Sequence, residues 1–306
     1  MKPEDDRKHT FRAGYVAIIG DPNVGKSTLL NAFLGQKISI VTNKPQTTRH
    51  KILGMFSRET YQVIFLDTPG VLKPKYLLQE SMMKFALSAI DDADLVLFMI
   101  DASNPCLGKE IDHSAAFQIV KEVKKDIYLV INKVDLVKKL DIAQIIAFYN
   151  EQYFFRETFP ISALHQSGSA DLLDAIVEAL PEHPPYYPLD AVSDQSERFF
   201  VSEIIREKIF EKFRDEIPYA TAVDIVEFKE HHRKKDHINA EIYVERESQK
   251  GILIGNQGKA LKEIGERSRK EIELFLGRPV FLELRVKVRE KWRTKKMWLN
   301  RLGYKI

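Results

Sequence analysis

The chain has 306 residues, of which 44% are hydrophobic and 30% charged, with a formal net charge of +3. No apolar run reaches the ~20 residues that a membrane-spanning helix needs, and the single cysteine, Cys106, excludes an internal disulfide. The composition therefore excludes an integral membrane protein and a disulfide-stapled domain, and favours two globular domains in a reducing cytoplasm. We expect no signal peptide, because residues 1–8 are highly charged, and a frayed segment over residues 1–13.

A phosphate-binding pattern, G-x-x-x-x-G-K-[ST], spans residues 20–27. The apolar run 15–19 before it predicts a buried strand, and residues 27–34 after it have apolar positions at helical spacing. Backbone N–H groups of such a loop point at phosphates. Lys26 would neutralise the β- and γ-phosphates, and the Ser27 hydroxyl would bind Mg²⁺. The predicted nucleotide contacts here are Gly20, Asp21, Pro22, Asn23, Val24, Gly25, Lys26, Ser27 and Thr28.

Residues 44–50 lie between this loop and the next predicted strand and contain two adjacent threonines. A threonine in this loop would close over Mg²⁺ and the γ-phosphate. Thr48 is the first choice because it directly precedes Arg49 and the strand. Thr47 stays open as the second choice.

The tetrapeptide Asp67, Thr68, Pro69 and Gly70 ends the β-run 61–66. Asp67 is expected to hold Mg²⁺ through water, and the Gly70 amide to sense the γ-phosphate. The tetrapeptide alone would also suit an ordinary β-turn. The predicted catalytic set is Lys26, Thr48, Asp67 and Gly70, with Ser27, Thr48 and Asp67 around the metal.

Base recognition is predicted where the apolar strand 127–131 ends, at Asn132, Lys133 and Asp135. A carboxylate at Asp135 would accept both the N1–H and the exocyclic amine of guanine, donors that adenine lacks. Asn132 would tie base and loop together, and the Lys133 stem would lie against the purine. Ser162 and Ala163 follow the apolar run 159–161 and are the weakest part of this prediction.

These four motifs, in this order, resemble those of translation-factor-type small GTPases. The resemblance implies an α/β P-loop GTPase domain over residues 14–180, with a doubly wound, mostly parallel sheet and its ligands at the strand ends. Many such GTPases carry a glutamine after D-x-x-G to orient the attacking water. Val71 stands there instead, so we expect slow intrinsic hydrolysis. Relatives with asparagine at the position of Asn23 can hold K⁺, which suggests a potassium requirement.

A proline-rich connector is predicted over residues 181–197, because four prolines between 181 and 188 prevent a continuing helix. The net charge of the chain changes sign at about the same place. Residues 198–306 carry 26 Lys+Arg and 18 Asp+Glu, a net of +8, whereas the preceding residues carry 21 and 26, a net of −5. A basic second domain points to a phosphate-bearing partner, with an anionic membrane surface as the competing interpretation.

A G-x-x-G loop in this basic region, residues 255–258, lies between residues 251–254 and a predicted helix over 259–276. An apolar, strand-like stretch with Glu245 and Arg246 precedes it. An alternating strand over 279–288 follows. The order indicates a type II KH domain over 198–306, whose loop clamps about four unpaired nucleotides. The predicted RNA contacts are Ile254, Gly255, Asn256, Gln257, Gly258 and Lys259.

Two further segments of the basic region have simpler interpretations. Residues 291–298 contain Trp292 and Trp298, which we expect to dock a terminal helix rather than stack on bases. Residues 231–235 are predicted to form a solvent-exposed hairpin loop. A metal site is not expected, because no cysteine or carboxylate lies at metal-ligand spacing from the histidines.

A small GTPase domain followed by a KH domain resembles the Era family of bacterial ribosome-assembly GTPases. Residues 21–27, 46–50, 67–70, 132–135, 203–208 and 254–258 carry the resemblance. It implies GTP hydrolysis, binding of the single-stranded 3′ end of 16S rRNA, action in maturation of the small (30S) subunit, and in some members peripheral association with the inner membrane. We expect a monomer.

The sequence leaves two alternatives open. A non-catalytic, nucleotide-gated RNA-binding module would explain Val71 as lost catalysis. A GTPase of the tRNA-modification type shares the Thr-Thr-Arg sequence, but that family inserts its GTPase unit in a helical domain and usually ends in a cysteine-bearing tail, unlike this chain.

Overall fold

The computed structural model describes residues 11–231 and 234–304. The chain divides into two compact units. The first comprises residues 11–39, 51–72 and 86–194, and the second comprises residues 40–50, 73–85 and 195–304. Two internal segments, 40–50 and 73–85, therefore belong to the same unit as the C-terminal part of the chain. Within the described ranges no helix combines the length and the apolar character needed to cross a bilayer.

One six-stranded sheet forms the centre of the first unit, in the order β2-β3-β1-β4-β5-β6. Strand β2 is antiparallel to β3, and all other neighbours are parallel. The strands are β1 (Arg12–Ile19), β2 (Ile52–Ser57), β3 (Tyr61–Asp67), β4 (Leu95–Asp101), β5 (Ile127–Asn132) and β6 (Glu157–Pro160). The helices of this part of the chain are α1 (Lys26–Leu34), α2 (Leu77–Asp92), α3 (Ala115–Glu122), α4 (Lys139–Gln152) and α5 (Ser169–Ala179). This confirms the predicted doubly wound α/β architecture.

The sheet order reverses at β1, which lies between β3 and β4. In open α/β sheets the crevice at such a reversal is the usual ligand site. The apolar runs 15–19, 61–66 and 127–131 lie inside β1, β3 and β5, so the motifs that follow them stand at neighbouring strand ends. Residues 12 and 13 belong to β1 rather than to the predicted frayed terminus, and residues 1–10 of that prediction lie outside the described residues.

The connector after α5 is extended and hydrogen-bonded to the first unit. Pro181 O accepts from Ala13 N at 3.2 Å. The buried Gln62 side chain accepts from the amides of Tyr186 and Tyr187 at 2.8 and 3.0 Å. Further on, the carbonyl of residue 192 accepts from the amide of residue 55 at 2.8 Å. The connector is therefore attached to the sheet over most of its length.

A three-stranded sheet in the order β7-β8-β9 forms the second unit together with its helices. Strands β7 and β8 are antiparallel, and β8 and β9 parallel. Isoleucines at 205, 209, 238, 242, 264 and 272 are fully or almost fully buried in its core. The elements are α6 (Glu197–Lys212), α7 (Ile217–Ala220), β7 (Ala222–Lys229), β8 (Asp236–Val244), α8 (Glu247–Ile254), α9 (Lys259–Leu276), β9 (Val280–Val288) and α10 (Lys296–Arg301).

This order confirms the predicted type II KH fold, with one correction. The predicted order placed the G-x-x-G loop directly after two strands, whereas helix α8, which ends with residues 251–254, lies between β8 and the loop. The helix starts where the Gln249 side-chain oxygen accepts from the amides of Glu245 and Arg246 at 3.0 and 3.1 Å, which satisfies two backbone donors. An apolar run of three residues after a glycine is too short to distinguish helix from strand.

The two predictions for the remaining basic segments have different outcomes. Trp292 is fully buried and donates its Nε1–H to Ala220 O at 2.8 Å, and the Trp298 ring lies 5.3 Å from that of Tyr243. Both contacts support docking of the terminal segment. The predicted hairpin loop does join β7 to β8, although His232 and Arg233 within it lie outside the described residues.

Candidate functional site

The phosphate-loop motif forms a tight turn between β1 and α1. Gly25 has φ +104°, and a Cβ atom there would lie 2.2 Å from Asn132 Nδ2. The Asn132 amide approaches this closely because it donates to Val24 O at 2.7 Å. Both the backbone conformation and the space therefore require glycine. The turn leads into helix α1, which begins at Lys26, as the motif predicts.

Lys26 is buried inside this turn. Its Nζ donates to the carbonyl oxygens of Gly20 at 3.1 Å and Asp21 at 2.9 Å. Burial lowers the Lys26 pKa to about 8, while Asp67 and Asp21 act in the opposite direction. The ammonium is thus held inside the loop that would surround the phosphates, where an anionic ligand would favour its charged form.

The Asp67 carboxylate at the end of β3 is fully buried, with its two oxygens in different environments. Oδ2 accepts from Ser27 Oγ and Ser39 Oγ, both at 2.7 Å, whereas Oδ1 is buried with no hydrogen-bond partner. Burial raises the Asp67 pKa, and the two hydroxyls lower it.

One carboxylate beside a serine hydroxyl fits Mg²⁺, which is commonly held by one or two protein ligands together with water and phosphate oxygens. The free Oδ1 is the donor atom that such a site needs. Across the described ranges no group of three or more His, Cys, Asp or Glu residues would hold a metal by itself. Ser39 belongs to none of the predicted motifs.

The loop after Asp67 is tied back to β1. Thr68 Oγ1 donates to Ile18 O at 2.7 Å, and Val71 N donates to Gly20 O at 3.1 Å. The second bond joins the D-x-x-G loop to the phosphate loop, so Pro69 and Gly70 lie next to residues 20–22. A Cβ atom at Gly70 would approach Pro22 Cα to 2.6 Å, which fits the tight contact between the two loops.

Asn132 connects three parts of the nucleotide site. Besides donating to Val24 O, its Oδ1 accepts from Ala163 N at 2.9 Å, and the side chain is buried. The predicted phosphate loop, the base motif and Ser162–Ala163 are therefore brought together by one amide. Ala163, the weakest of the predicted nucleotide contacts, is thus joined through Asn132 to the phosphate loop, the strongest of the sequence motifs.

Around the base motif, Lys133 has φ +63° and its Nζ lies 2.5 Å from Asp101 Oδ2 at the end of β4. Burial acts to raise the Asp101 pKa, but hydrogen bonds from Lys133 and Ser103 lower it overall. Asp135 is partly exposed, and His165 Nε2 lies 3.8 Å from its Oδ2. Sequence reasoning did not single out Asp101, although an aspartate that ends an apolar strand is the signal that identified Asp67.

The predicted switch threonines belong to the second unit, in segment 40–50. Thr47 Oγ1 donates to Lys44 O at 2.7 Å and shares a 2.6 Å hydrogen bond with Thr42 Oγ1. The segment lies along α6, where Val41 N donates to Glu207 Oε1 at 3.0 Å. Lys44 Nζ donates to two carbonyls at the end of that helix, those of residues 210 and 213.

Arg49 and Arg206 complete the attachment of this segment. Arg49 is buried, donates to Thr221 O at 2.7 Å and Pro218 O at 3.0 Å, and lies over the Phe210 ring. Arg206 donates to the carbonyl of residue 47 and forms a buried ion pair with Glu203 on the same helix. Segment 40–50 is thus fixed to the KH part of the chain by charged hydrogen bonds at both ends.

The G-x-x-G loop turns between α8 and α9. Gly255 has φ +74° and ψ 176°, and a Cβ there would lie 2.6 Å from Ala260 Cβ. The side chains of Asn256, Gln257 and Lys259 are exposed, and that of Ile254 is half-buried at the end of α8. The loop therefore presents backbone and polar side chains to solvent, as a nucleotide clamp requires.

A groove of about 480 Å³ adjoins this loop between α9 and β9. Four apolar and three charged side chains line it, and apolar surface suits bases whereas the Lys and Arg side chains suit phosphates. Sequence reasoning did not identify the groove residues beyond the loop, because they come from two elements whose packing is a tertiary property. They are Gly258, Leu261, Lys262, Gly265, Glu266, Arg269, Phe281, Leu282 and Leu284.

Comparisons with known proteins identify both domains. Residues 15–133 match the family described as 50S ribosome-binding GTPase, and residues 216–293 match the KH domain. GTPase Era of Carboxydothermus hydrogenoformans is 45% identical over 296 residues, covering 96% of this chain and 98% of that protein. GTPase Era of Lacticaseibacillus paracasei is 47% identical, covering 95% and 96%.

Solved structures give the same result. Era in complex with MgGDPNP and nucleotides 1506–1542 of 16S ribosomal RNA superposes with a TM-score of 0.91 at 41% identity, covering 97% of this chain and 100% of that one. A variant of Aquifex aeolicus Era bound to GDP and AlF4⁻ gives 0.90 at 40% identity, with the same coverage. By sequence, domain content and fold, the chain belongs to the Era family: it is a P-loop GTPase with a C-terminal KH domain.

Proposed function

We propose that this GTPase binds the 3′ end of 16S rRNA in its KH groove and acts in maturation of the small ribosomal subunit. The observation that carries the proposal is the G-x-x-G loop with its adjoining groove, in the same unit as segment 40–50. The relative solved with an rRNA fragment and a GTP analogue supports the choice of RNA. We further propose action on the 30S subunit, as a monomer in the cytoplasm. Peripheral association with the inner membrane stays a prediction.

In the nucleotide site, Asp135 would accept from guanine, and Lys26 and the loop amides would bind the phosphates. Ser27 and Asp67, with Thr48 as the switch residue, would hold Mg²⁺, which neutralises charge on the phosphate oxygens. Val71 has no hydrogen-bonding side chain, so water positioning would fall to other groups and intrinsic hydrolysis would be slow.

We infer that segment 40–50 couples nucleotide binding to RNA binding. Its contacts to α6 and α7 are made by Val41, Lys44 and Arg49. A change in this segment when Thr48 engages the metal would alter the charged hydrogen bonds at the surface of the KH unit. RNA affinity would then differ between GTP and GDP states, and by linkage RNA would strengthen GTP binding by the same factor.

The function is tested by titrating a 16S rRNA 3′-end oligonucleotide into the intact protein loaded with GDP or a non-hydrolysable GTP analogue. We expect tighter binding with the analogue. Equal affinities would contradict the coupling, and no binding in either state would contradict the choice of RNA. A scrambled oligonucleotide of the same composition separates sequence recognition from charge attraction.

Gly265 allows the groove itself to be tested. A Cβ at this position would meet only Leu284 Cδ1, at 3.5 Å, so a larger side chain would enter the groove rather than the protein core. We expect Gly265→Leu to weaken binding of the oligonucleotide at least tenfold, while GTP affinity stays unchanged. Leucine also has a higher helix propensity than glycine, so the substitution should not destabilise helix α9.

Gly251→Leu is the matched control for this variant. Gly251 lies in helix α8, outside the groove, and nothing approaches a Cβ there within 4 Å. Its RNA affinity should equal that of the unchanged protein. If Gly265→Leu also bound RNA normally, the groove would not be the RNA site.

A potassium dependence of hydrolysis is also proposed, on the basis of Asn23. We expect GTP turnover to be several times faster in KCl than in NaCl at equal ionic strength. Asn23 has φ +67°, so Asn23→Gly removes the amide while keeping a compatible backbone, and it should abolish the difference. Equal rates in the two salts would reject a potassium site.

A further inference from the structure

Ser39 lies beside the predicted metal site but belongs to no nucleotide-binding motif. The residue is fully buried, and its Oγ donates to Asp67 Oδ2 at 2.7 Å. This is the same carboxylate oxygen that accepts from Ser27 Oγ. The other oxygen, Oδ1, is buried without a hydrogen-bond partner. Both hydroxyls therefore donate to Oδ2, and Oδ1 keeps its lone pairs for another donor.

Ser39 is held in place by Asn31 on helix α1. Asn31 Nδ2 donates to Ser39 O at 2.7 Å, and Asn31 Oδ1 accepts from the amides of Ile38 and Ser39 at 3.0 Å each. Asn31 is four residues after Ser27, so the two side chains lie on the same face of the helix. One helix thus fixes Ser27 directly and Ser39 through Asn31.

This arrangement matters most when a metal is bound. Ser27 Oγ would then give a lone pair to Mg²⁺, while Asp67 would approach through a metal-bound water. A carboxylate fixed on one oxygen keeps its second oxygen in a constant position, and such outer partners commonly change metal affinity by 10–100-fold when removed. Ser39 is the partner of Asp67 that has no other assigned role.

We propose that Ser39, held by Asn31, is a positioning residue for the GTPase reaction: it orients the Asp67 carboxylate so that Oδ1 faces the water shell of Mg²⁺. This inference rests on the proposed role of Asp67 at the metal. Ser39 touches neither nucleotide nor metal in this scheme and acts only through Asp67.

The test is the release of a fluorescent GDP from the full-length protein as Mg²⁺ is varied. Ser39→Ala is expected to raise the Mg²⁺ concentration needed for half-maximal slowing of release by about 10–100-fold. Release in EDTA should change less than twofold, because Asp67 then holds no metal. Ser39→Cys, which keeps the volume but donates weakly, should give an intermediate shift and provides a second readout if the alanine variant folds poorly.

Two further variants sharpen the result. Ser169→Ala removes another buried serine hydroxyl of the same unit, one that has no hydrogen-bond partner, and should leave the Mg²⁺ response unchanged. Asn31→Ala should reproduce the Ser39→Ala shift, and the double variant should be no worse than either single one, because the residues act in series.

The outcomes are distinguishable. An equal change of GDP release in Mg²⁺ and in EDTA would show that Ser39 only supports the fold, and would overturn the proposal. An unchanged Mg²⁺ response in Ser39→Ala would overturn it as well. If release from the unchanged protein did not depend on Mg²⁺ at all, the magnesium role of Asp67 would be wrong, and this inference would fall with it.

Discussion

Replacing Asn132 with alanine is expected to lower the affinity for GTP and GDP by at least about 100-fold. The side chain makes two buried hydrogen bonds, to Val24 O at 2.7 Å and from Ala163 N at 2.9 Å. Each backbone group left unpaired costs about 1–3 kcal/mol, and 2.8 kcal/mol corresponds to a factor of 100 in affinity. Both nucleotides should be affected because the amide joins loops on the phosphate and the base sides.

Titration with fluorescent GTP and GDP analogues measures this loss. Asn104→Ala is the control, since Asn104 is an exposed asparagine in the same unit. Its affinities should match those of the unchanged protein. An Asn132→Ala variant that bound either nucleotide within threefold of the unchanged protein would show that the three loops hold together without this amide.

Replacing Arg206 with methionine is expected to destabilise the second unit by about 3–5 kcal/mol, because removal of one partner leaves a buried charge uncompensated. The Arg206 and Glu203 side chains are only 3% and 9% exposed. Arg206 holds the pKa of Glu203 below its usual value although burial acts to raise it. Methionine also removes the donor to the carbonyl of residue 47.

The two tryptophans of the chain, Trp292 and Trp298, both lie in the second unit, so tryptophan fluorescence during urea unfolding reports on that unit alone. Arg285→Met is the control. Its ion pair with Glu283 is 57% and 35% exposed and should contribute less than about 1 kcal/mol. Equal shifts of the urea midpoint in the two variants would mean that burial adds nothing to the Arg206 pair.

The sequence predicted those parts of the molecule that depend on neighbouring residues. The strand, turn and helix around Gly25 and Lys26 follow from local apolar spacing and a short motif, and the structure has them where the pattern indicates. The same holds for β3 before Asp67 and β5 before Asn132. Strand ends in a parallel sheet meet at one edge, so these motifs could be brought together by topology alone.

What the sequence did not reveal depends on contacts between distant positions. Ser39 and Asp67 are 28 residues apart, and only the folded chain brings the serine to the carboxylate. Helix α8 was not predicted because residues 251–254 are too few to show a period, while the capping oxygen of Gln249 lies outside that window. The connector was predicted as extended, but nothing in its prolines indicates that Gln62, far upstream, binds its backbone.

The attachment of segment 40–50 has a consequence for dissecting the protein. A fragment truncated at residue 180 would keep the phosphate loop but lose the acceptors of Lys44 and Arg49, since these belong to α6, α7 and Thr221. An isolated C-terminal fragment would in turn lose the Lys44 ammonium and the Arg49 guanidinium that donate to those carbonyls. Nucleotide binding measured on the first fragment, or RNA affinity measured on the second, would therefore lack the contribution of the contacts between segment 40–50 and the C-terminal part of the chain.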